Sequence, residues 1–387
     1  MMLHLQPAII ASPCCMLLHT IIFLSGAAIL ALELLASRIM TPYFGVSLYI
    51  WTGILSITLV ALALGYWLGG RLAKRASRAQ DTARLMQLYA LMPAIAAIAI
   101  VLACLVYPAA FARLASFDLV AGAFAACLVL LFVPLVATSA MNPLLVAILL
   151  NRNKSERTAD AGAGKVFFVS TIGSVAGVLV TAFGLIPYIS NFAAVLVIAF
   201  VLAVLALGIV VLAREPLAGK TMVGAAAVAG CVFAAALLWN ADAYTGRRGP
   251  FAYASAEWRV EATYQSLFGT VKVLRTTTGA EDTRFLRMYF QDGLTQNTAD
   301  SSGRSTSFYT YGLESLARAY RPSMGSALVL GLGAGMVPMA LGRSGVRVDA
   351  VDIDPVAPRV AQAYFGFDPS LAHTHQKLTL VPNSNVR

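Results

Sequence analysis

The most apolar stretch of the chain is residues 192–213, FAAVLVIAFVLAVLALGIVVLA. As an α-helix these 22 uncharged residues would extend about 33 Å, enough to cross a hydrocarbon core of roughly 30 Å. The same bias marks the whole chain, because 59% of its 387 residues are hydrophobic and 12% are charged. Soluble domains average about half apolar and about a quarter charged residues. The sequence therefore excludes an ordinary cytosolic enzyme.

Apolar stretches of this length fill the first 240 residues. They predict seven membrane spans, at 16–37, 49–70, 87–108, 119–149, 166–188, 192–213 and 221–239. The fourth is long and contains Pro134 and Asn142-Pro143, so we expect a kink or break there, because proline removes a helical donor and crowds the preceding turn. Charged residues number 19 up to residue 240 and 27 beyond it. We expect a transmembrane helical domain (1–240), a linker (241–259) and a soluble domain (260–387).

Lysine and arginine are concentrated in alternate loops, and this asymmetry sets the orientation of a membrane protein. Only Arg38 and Arg113 lie in the loops after odd-numbered spans, whereas eleven lie in the others: Arg71, Lys74, Arg75, Arg78, Arg84, Arg152, Lys154, Arg157, Lys165, Arg214 and Lys220. The bias predicts a multi-pass protein of the cell (inner) membrane with a cytoplasmic N-terminus and an external C-terminal domain. The second half of this prediction depends on the Ala-rich seventh span. If that helix lay on the membrane surface, the tail would be cytoplasmic.

The net charge of +10 does not indicate a nucleic-acid partner. Of the 28 Lys and Arg residues, 13 lie in the first 240, and the tail has 15 basic against 12 acidic residues without a cluster. All five cysteines precede the tail, which therefore has neither a disulfide framework nor a cysteine-based metal site. His373 and His375 could ligate a metal, but we expect a solvated loop there and no metal site.

The tail shows the alternating patterns of a folded α/β domain. Segments 260–275 and 284–290 carry β-branched and aromatic residues, which predicts a β-hairpin region over 260–300. A helix is predicted over 306–320. A partial Rossmann-like sheet is predicted over 325–387, with strand 327–330, a glycine-rich turn, a helix to about Leu341, strand 346–351 and a helix over 355–364. Only six residues follow the last strand-like run, 378–381, so we expect this sheet to be incomplete.

The glycine-rich turn is Gly331-Leu332-Gly333-Ala334-Gly335, and the second strand leads to Asp352. Glycines let the backbone turn sharply and let a ligand approach it, and a carboxylate at the tip of the second strand can accept both ribose hydroxyls. The order of strand, turn, helix, strand and acid favours a nucleoside site. The GxGxG spacing favours S-adenosyl ligands over dinucleotides. The alternative is a glycine turn that only packs the helix on the strand.

Four motifs within residues 260–365 resemble those of the spermidine synthase (polyamine aminopropyltransferase) family, and the whole chain resembles its membrane-fused branch. They are Tyr264-Gln265, Gln291–Gln296 (QDGLTQ), Gly331–Gly335 and Val351–Asp354 (VDID). The resemblance implies a SAM-methyltransferase/spermidine-synthase-like fold and decarboxylated S-adenosylmethionine as donor co-substrate, with no cofactor required. It also implies the binding residues: Gln265 contacts the donor, the glycine loop (Gly331, Gly333, Gly335) lies beside it, and Asp352, with Asp354 at the same end, binds the ribose.

Two departures from the family pattern bear on catalysis. The family's YH or YQ pair after the hairpin region is Tyr309-Thr310 here, which lacks a polar group that helps to hold the donor. The family's adenine-contacting acid and its catalytic aspartate follow the third strand, and the sequence offers neither. We therefore name no catalytic residue and expect a C-terminally truncated domain with impaired transfer.

The first two spans are also similar to the membrane-fused branch, in Glu33–Arg38 (ELLASR), Pro42–Gly45 (PYFG) and Trp51. Glu33 is an acid well inside a span, and carboxylates at that depth are costly enough to be functional candidates. Arg38 lies five positions later, nearer the interface. Two alternatives stay open: the two residues form a structural ion pair, or Glu33 has a proton or substrate role.

The fifth span contains a run of small residues, Ser170–Gly177 (STIGSVAG), which is similar to the fifth helix of the same branch. Gly173 and Gly177 would form one flat stripe on which another helix can pack closely. We expect tight helix packing there rather than a substrate site.

Three functions follow from these expectations. The first is a membrane-anchored aminopropyltransferase of polyamine biosynthesis, in which a polyamine nitrogen, deprotonated by a carboxylate, displaces methylthioadenosine from the donor. The second is a non-catalytic transporter or sensor module that binds a polyamine or nucleoside, and the third is a structural membrane module. Charged adenosyl donors are cytoplasmic metabolites, so an external domain weakens the first. The expected partners are membrane lipid, a small-molecule polyamine or nucleoside and, as a candidate, a second copy of the chain.

Overall fold

The computed structural model describes residues 13–45, 48–78, 81–152, 159–212, 219–248, 258–277 and 284–375. The chain folds as two units. The first, called here the helical unit, comprises Met1–Leu185 and Asn191–Thr245; the second, called the mixed unit, comprises Ile186–Ser190 and Gly246–Arg387.

Seven helices among the described residues are long and apolar enough to cross a membrane, which confirms the predicted number. They are α1 (Pro13–Phe44), α2 (Leu48–Arg78), α3 (Thr82–Phe117), a fourth span containing α4 (Leu119–Cys127) and α5 (Val133–Arg152), α6 (Ala159–Val180), α7 (Asn191–Leu212) and α8 (Lys220–Trp239). Most extend beyond the predicted apolar cores, because a helix can continue into the polar interface. Three of the predicted loop cations, Lys154, Arg157 and Arg214, lie outside the described residues.

The fourth span is distorted at one of its two prolines. A π-helical segment, Leu128–Phe132, joins α4 to α5 just before Pro134. Proline has no N–H for the carbonyl four residues earlier, at Leu130, and its ring crowds that carbonyl, so a wider turn relieves the clash. Helix α5 continues through Pro143. The distortion of the fourth span therefore lies next to Pro134, and the expectation of a break at Asn142-Pro143 is wrong.

Helices α1 and α6 pack so closely that their backbones touch. A Cβ atom added at Gly173 would overlap the carbonyl group of Phe23, and one added at Gly177 would overlap that of Ala27. The Ser174 hydroxyl donates a hydrogen bond of 2.9 Å to the carbonyl oxygen of Gly26. The close packing expected of the fifth span is therefore present, with α1 as the partner helix.

Helix α8 lies alongside α3. Before α8 begins, a Cβ atom added at Gly219 would lie 2.6 Å from Gln87 Nε2. After α8 ends, the Tyr244 hydroxyl donates a hydrogen bond of 2.6 Å to the carbonyl oxygen of Leu105. Between residues 87 and 105, α3 rises about 27 Å, close to the thickness of a hydrocarbon core. The two ends of α8 are therefore separated by about one membrane core along α3.

Residues 241–259, predicted to be a linker, begin as a helix. Helix α9 (Ala241–Arg248) directly follows α8, and its Tyr244 ring stacks on Phe192 of α7 with 5.6 Å between ring centroids. The first part of the predicted linker is therefore helical, and Tyr244 packs on the helical unit. Residues 249–257 lie outside the described residues.

The mixed unit contains a four-stranded antiparallel sheet in the order β1-β2-β3-β4, which confirms the predicted β-hairpin region. Its strands are β1 (Arg259–Ser266), β2 (Gly269–Thr277), β3 (Phe285–Gln291) and β4 (Leu294–Asp300). The single predicted segment 260–275 thus contains a complete hairpin. The turn between β3 and β4 is Asp292-Gly293, with φ of 46° and 85°, the backbone that a two-residue type I′ turn requires.

A three-stranded parallel sheet follows, in the order β5-β6-β7. The elements are α10 (Phe308–Tyr320), β5 (Ser326–Leu330), α11 (Met336–Arg343), β6 (Arg347–Val351), α12 (Val356–Phe365) and β7 (His373–His375). Their order agrees with the predicted strand, turn, helix, strand and helix. The prediction of a solvated loop at His373 and His375 is wrong, because these residues lie in β7 and pair with Asp349 and Val351 of β6. The predicted strand-like run 378–381 lies outside the described residues.

One hydrophobic core joins the two sheets of the mixed unit. It includes Val271 of β2, Tyr289 of β3, Leu341 of α11, Val348 of β6 and Val360 of α12, all of them buried. Because the hairpins and the parallel sheet share this core, the turn between β1 and β2 is fixed relative to the carboxyl end of β6.

Candidate functional site

The glycine loop connects β5 to α11 and has the backbone that only glycine adopts easily. Its φ angles are 89° at Gly331, 52° at Gly333 and 77° at Gly335. A Cβ atom at Gly335 would overlap the ring of Phe367, whereas Cβ atoms at Gly331 and Gly333 would have no other atom within 4 Å. Gly335 is therefore required for packing, and the other two glycines border open space.

The Asp352 side chain, directly after β6, forms hydrogen bonds with the backbone of the glycine loop. Its Oδ2 accepts a hydrogen bond of 2.7 Å from the Leu332 N–H and a longer one of 3.4 Å from the Gly333 N–H. Its Oδ1 accepts one of 2.8 Å from the Asp354 N–H. The carboxylate is half-buried. Since a carboxylate has about four lone-pair sites, capacity for a hydroxyl donor remains.

Asp354 is a buried residue that accepts a hydrogen bond at the start of α12. Its side chain is 3% exposed. Oδ1 accepts a hydrogen bond of 3.0 Å from the Val356 N–H, the orphan donor of a helix start, and Oδ2 accepts one of 3.0 Å from the Ser266 hydroxyl. Its implied role at the ribose end remains a prediction. In the structure it positions α12 and the end of β1.

Gln265 lies beside Ser266 at the end of β1. Its Oε1 accepts a hydrogen bond of 2.7 Å from the hydroxyl of Thr270, its cross-strand neighbour on β2. The Thr270 N–H in turn donates to Asp292 Oδ1 at 2.9 Å. Ser266, the next residue, bonds to Asp354, and the Asp354 N–H bonds to Asp352, which accepts from the glycine loop. The Tyr264-Gln265 motif and the glycine loop therefore lie in the same region.

Tyr289 lies beneath this region, on β3. Burial raises the pKa of its hydroxyl, and the carboxylates of Asp354 and Asp352 raise it further. Sequence reasoning missed both Tyr289 and Ser266, because neither belongs to a motif. The only available signal for Tyr289 was its place in an aromatic strand of the hairpin region.

Tyr309 and Thr310, which depart from the family pattern, both use their hydroxyl groups in hydrogen bonds to nearby backbone carbonyl oxygens. The Tyr309 hydroxyl donates to the Gln296 carbonyl oxygen at 2.6 Å, and the Thr310 hydroxyl donates to the Ser307 carbonyl oxygen at 2.8 Å. The first bond holds the start of α10 close to β4, and the second joins the first turn of α10 to its N-cap residue.

In the helical unit, Glu33 and Arg38 lie on α1 and form no ion pair with each other. Five residues correspond to about 140° of rotation around a helix beyond one full turn, so the two side chains leave different faces. The interactions of the Glu33 carboxyl among the described residues do not include Arg38, and the role of either residue stays a prediction. Thr58 of α2 lies beside the Glu33 carboxyl.

No family model, curated protein or solved structure matches the chain. Within the part of the chain that the structure describes, no three His, Cys, Asp or Glu side chains are grouped so that they could hold a metal ion. The case for a function therefore depends on the geometry of the glycine loop and of the buried polar groups.

Proposed function

We propose that this is a spermidine-synthase-like protein of the cell (inner) membrane whose mixed unit binds a nucleoside of the methylthioadenosine or decarboxylated S-adenosylmethionine type. The observation that carries the proposal is the glycine loop, which has open space at Gly331 and Gly333 and is bonded to Asp352 at the end of the neighbouring strand. A sheet of Rossmann-like type, which binds ligands at the carboxyl ends of its strands, would place a nucleoside at this position.

In the proposed complex the ribose lies over Gly331 and Gly333, where no side chain obstructs it. One hydroxyl donates to the lone pair of Asp352 that the three backbone N–H groups leave open, and the other replaces the long, 3.4 Å bond from the Gly333 N–H. Hydrogen bonds to a charged acceptor contribute about 1.5 to 3 kcal/mol each. Gln265, on the adjoining hairpin, is the side chain proposed to contact the aminopropyl end of the donor.

The proposal assigns binding and no catalytic step. Aminopropyl transfer needs a carboxylate that is free to deprotonate an amine, and the nearby described carboxylates accept hydrogen bonds from their own surroundings. Asp354 is bonded to Ser266 and Val356, and Asp292 is bonded to Thr270. This engagement favours a binding domain with impaired transfer in polyamine metabolism.

A second candidate is a non-catalytic transporter or sensor module for a polyamine or nucleoside. The observation in its favour is the course of α8, whose two ends lie beside Gln87 and Leu105 of α3. Together with the basic loops, this supports a cytoplasmic N-terminus and an external mixed unit. An external unit would meet extracytoplasmic nucleosides or polyamines rather than cytoplasmic adenosyl donors.

Calorimetry on the full-length chain in detergent tests the proposal. We expect methylthioadenosine to bind, and NAD to bind at least tenfold more weakly because the GxGxG turn favours S-adenosyl ligands. Absence of methylthioadenosine binding would leave the glycine loop with only its packing role. Binding of methylthioadenosine without decarboxylated S-adenosylmethionine would favour the second candidate.

A further inference from the structure

Glu33 lies deep in the first span, away from both of its ends. It is 17 residues from Met16 and 11 from Phe44, the ends of that span, which places it roughly 26 Å and 17 Å from them along the helix. Its Oε1 is buried and has no hydrogen-bond partner. Among the described residues its carboxyl forms no ion pair. An isolated buried carboxylate is very costly in so apolar a medium, so a group there requires a compensating cation.

Thr58 of α2 supplies a second unpartnered oxygen at the same place. It is 4% exposed, and its Oγ1 is buried with no hydrogen-bond partner. The side chain is close enough to interact with the Glu33 carboxyl, although the two groups do not reach hydrogen-bond geometry. Other hydroxyls of these helices behave differently, because Thr52 of α2 donates to the Leu48 carbonyl oxygen at 2.9 Å. The Thr58 hydroxyl therefore does not bond back to its own helix and lies beside the Glu33 carboxyl.

We propose that Glu33 and Thr58 form a proton-binding site inside the helical unit. The proton resides on the Glu33 carboxyl, and the Thr58 oxygen accepts the hydrogen bond that this O–H group donates. A proton satisfies both open oxygens and adds no volume. A hard metal cation would need about six oxygen ligands, and two side chains supply at most three.

Charged groups of the surrounding helices do not provide an alternative partner. On α1 itself, His19 lies 14 residues away and Arg38 leaves another face of the helix. The helices that pack against α1 carry their charges towards their ends: Arg71, Lys74, Arg75 and Arg78 in α2, Arg84 and Arg113 in α3, Arg152 in α5, and Asp160 and Lys165 in α6. Helices α4 and α7 contain none. The titratable side chains among those helices are otherwise uncharged cysteines and tyrosines.

The lipid-soluble reagent dicyclohexylcarbodiimide tests this site on the full-length chain in detergent. It adds to a protonated carboxyl group: the carboxyl proton moves to a carbodiimide nitrogen, the oxygen bonds to the central carbon, and rearrangement gives a stable N-acylurea with no leaving group. Mass spectrometry of the peptide that contains Glu33 measures the labelling. We expect labelling at pH 6 and at least tenfold less at pH 10, and no labelling of that position in Glu33→Gln. A water-soluble, charged carbodiimide should leave Glu33 unlabelled.

The partner role of Thr58 is tested by comparing Thr58→Val with the matched control Thr52→Val. Removal of the Thr58 oxygen should shift the pH profile of Glu33 labelling, and the control should leave it unchanged. The proposal is overturned if Glu33 is never labelled, if its labelling is the same from pH 6 to pH 10, or if both variants match the parent. It does not depend on nucleoside binding, which calorimetry measures separately at the mixed unit.

Discussion

The backbone N–H of Leu332 donates a hydrogen bond of 2.7 Å to Asp352 Oδ2, joining the glycine loop to the residue that directly follows β6. The same carboxylate accepts from the Asp354 N–H through its other oxygen. Asp352 therefore has a structural role before any ligand binds. If it also binds a ribose, the loop and the ligand share one acceptor, and the two roles must be separated by experiment.

Replacement of Asp352 by alanine should weaken methylthioadenosine binding at least tenfold. Two hydrogen bonds to a charged acceptor contribute about 1.5 to 3 kcal/mol each, and a tenfold change in Kd corresponds to about 1.4 kcal/mol. Calorimetry measures the affinity, and amide hydrogen exchange of residues 331–335 measures the loop. Asp300→Ala, at the end of β4, is the control. Faster exchange in Asp352→Ala with unchanged affinity would show that Asp352 acts on the loop alone.

The order of elements around this site was predictable from the sequence, but its bonds were not. The lengths of the spans and the order of strand, glycine turn and helix follow from local composition, because the pattern of apolar and polar residues reflects which faces of a segment are buried and which face water or lipid. The bond between Ser266 and Asp354 joins residues 88 positions apart, and it depends on how two sheets share a core. Likewise, Pro134 indicated a distortion, but the choice of a π-helical turn depends on packing against neighbouring helices.

Substitution of Gly173 by alanine should destabilise the helical unit by about 1 to 3 kcal/mol, because the added methyl group overlaps the Phe23 carbonyl and forces α1 away from α6. Gly208→Ala in α7 is the matched control, since its Cβ would have no other atom within 4 Å. That control should be neutral or slightly stabilising, as alanine favours helix. Thermal unfolding in detergent can be followed with a thiol-reactive dye that reacts with buried Cys104 and Cys127. Equal melting temperatures for the two variants would contradict the close helix contact.

The stability of the mixed unit should decrease above pH 10 in a way that depends on Tyr289. Burial, Asp354 and Asp352 raise the pKa of this hydroxyl in the folded state, while in the unfolded chain it ionises near pH 10. Between these values the unfolded state loses the proton and the folded state keeps it, so stability falls by up to about 1.4 kcal/mol per pH unit. Below pH 10 both states are protonated, and the group adds no pH dependence.

Urea unfolding of Tyr289→Phe measures this effect. Fluorescence of Trp258, which packs against Leu274 and Phe290, reports on the mixed unit once the exposed Trp51, Trp67 and Trp239 are replaced by phenylalanine. The alkaline loss of stability should be smaller in Tyr289→Phe than in the parent. Tyr320→Phe, at a side chain that is 90% exposed, should follow the parent curve. Parallel curves for all three proteins would be evidence against the effect.

A reporter enzyme that is active only outside the cytoplasm should be active when fused after Arg387 and silent when fused after Arg78. The reason is the course of α8, whose ends lie beside Gln87 and Leu105 of α3, together with basic residues on alternate loops. Green fluorescent protein, fused at the same positions, should give the reverse pattern. Fluorescence after Arg387 would show that α8 does not cross and that the mixed unit faces the cytoplasmic pool of adenosyl donors.

The chain should not catalyse aminopropyl transfer at the rate of an ordinary enzyme. A polyamine nitrogen with a pKa near that of lysine, about 10.4, is protonated at neutral pH, so attack requires a positioned base. Asp368 takes no part in the hydrogen bonds described above for the glycine loop, but hydrogen bonds from the Ser370 hydroxyl and N–H hold its pKa below the usual range, which makes it a weak base. Of the others, Asp292, Asp352 and Asp354 accept hydrogen bonds that maintain the fold, and Asp349 lies within β6.

Release of methylthioadenosine from decarboxylated S-adenosylmethionine with putrescine measures this rate. Enzymes turn over about 10 times per second at the median, and loss of a general base costs a factor of about 10² to 10⁴. We therefore expect less than about 0.1 turnovers per second, and the same residual rate in Asp368→Asn. A rate of about 10 per second that Asp368→Asn abolishes would identify Asp368 as the base, because no other carboxylate changes between the two proteins. An equally high rate in both would instead require a base among the residues that hold the loop together, and Asp352→Asn would then separate the loss of the base from the loss of nucleoside affinity.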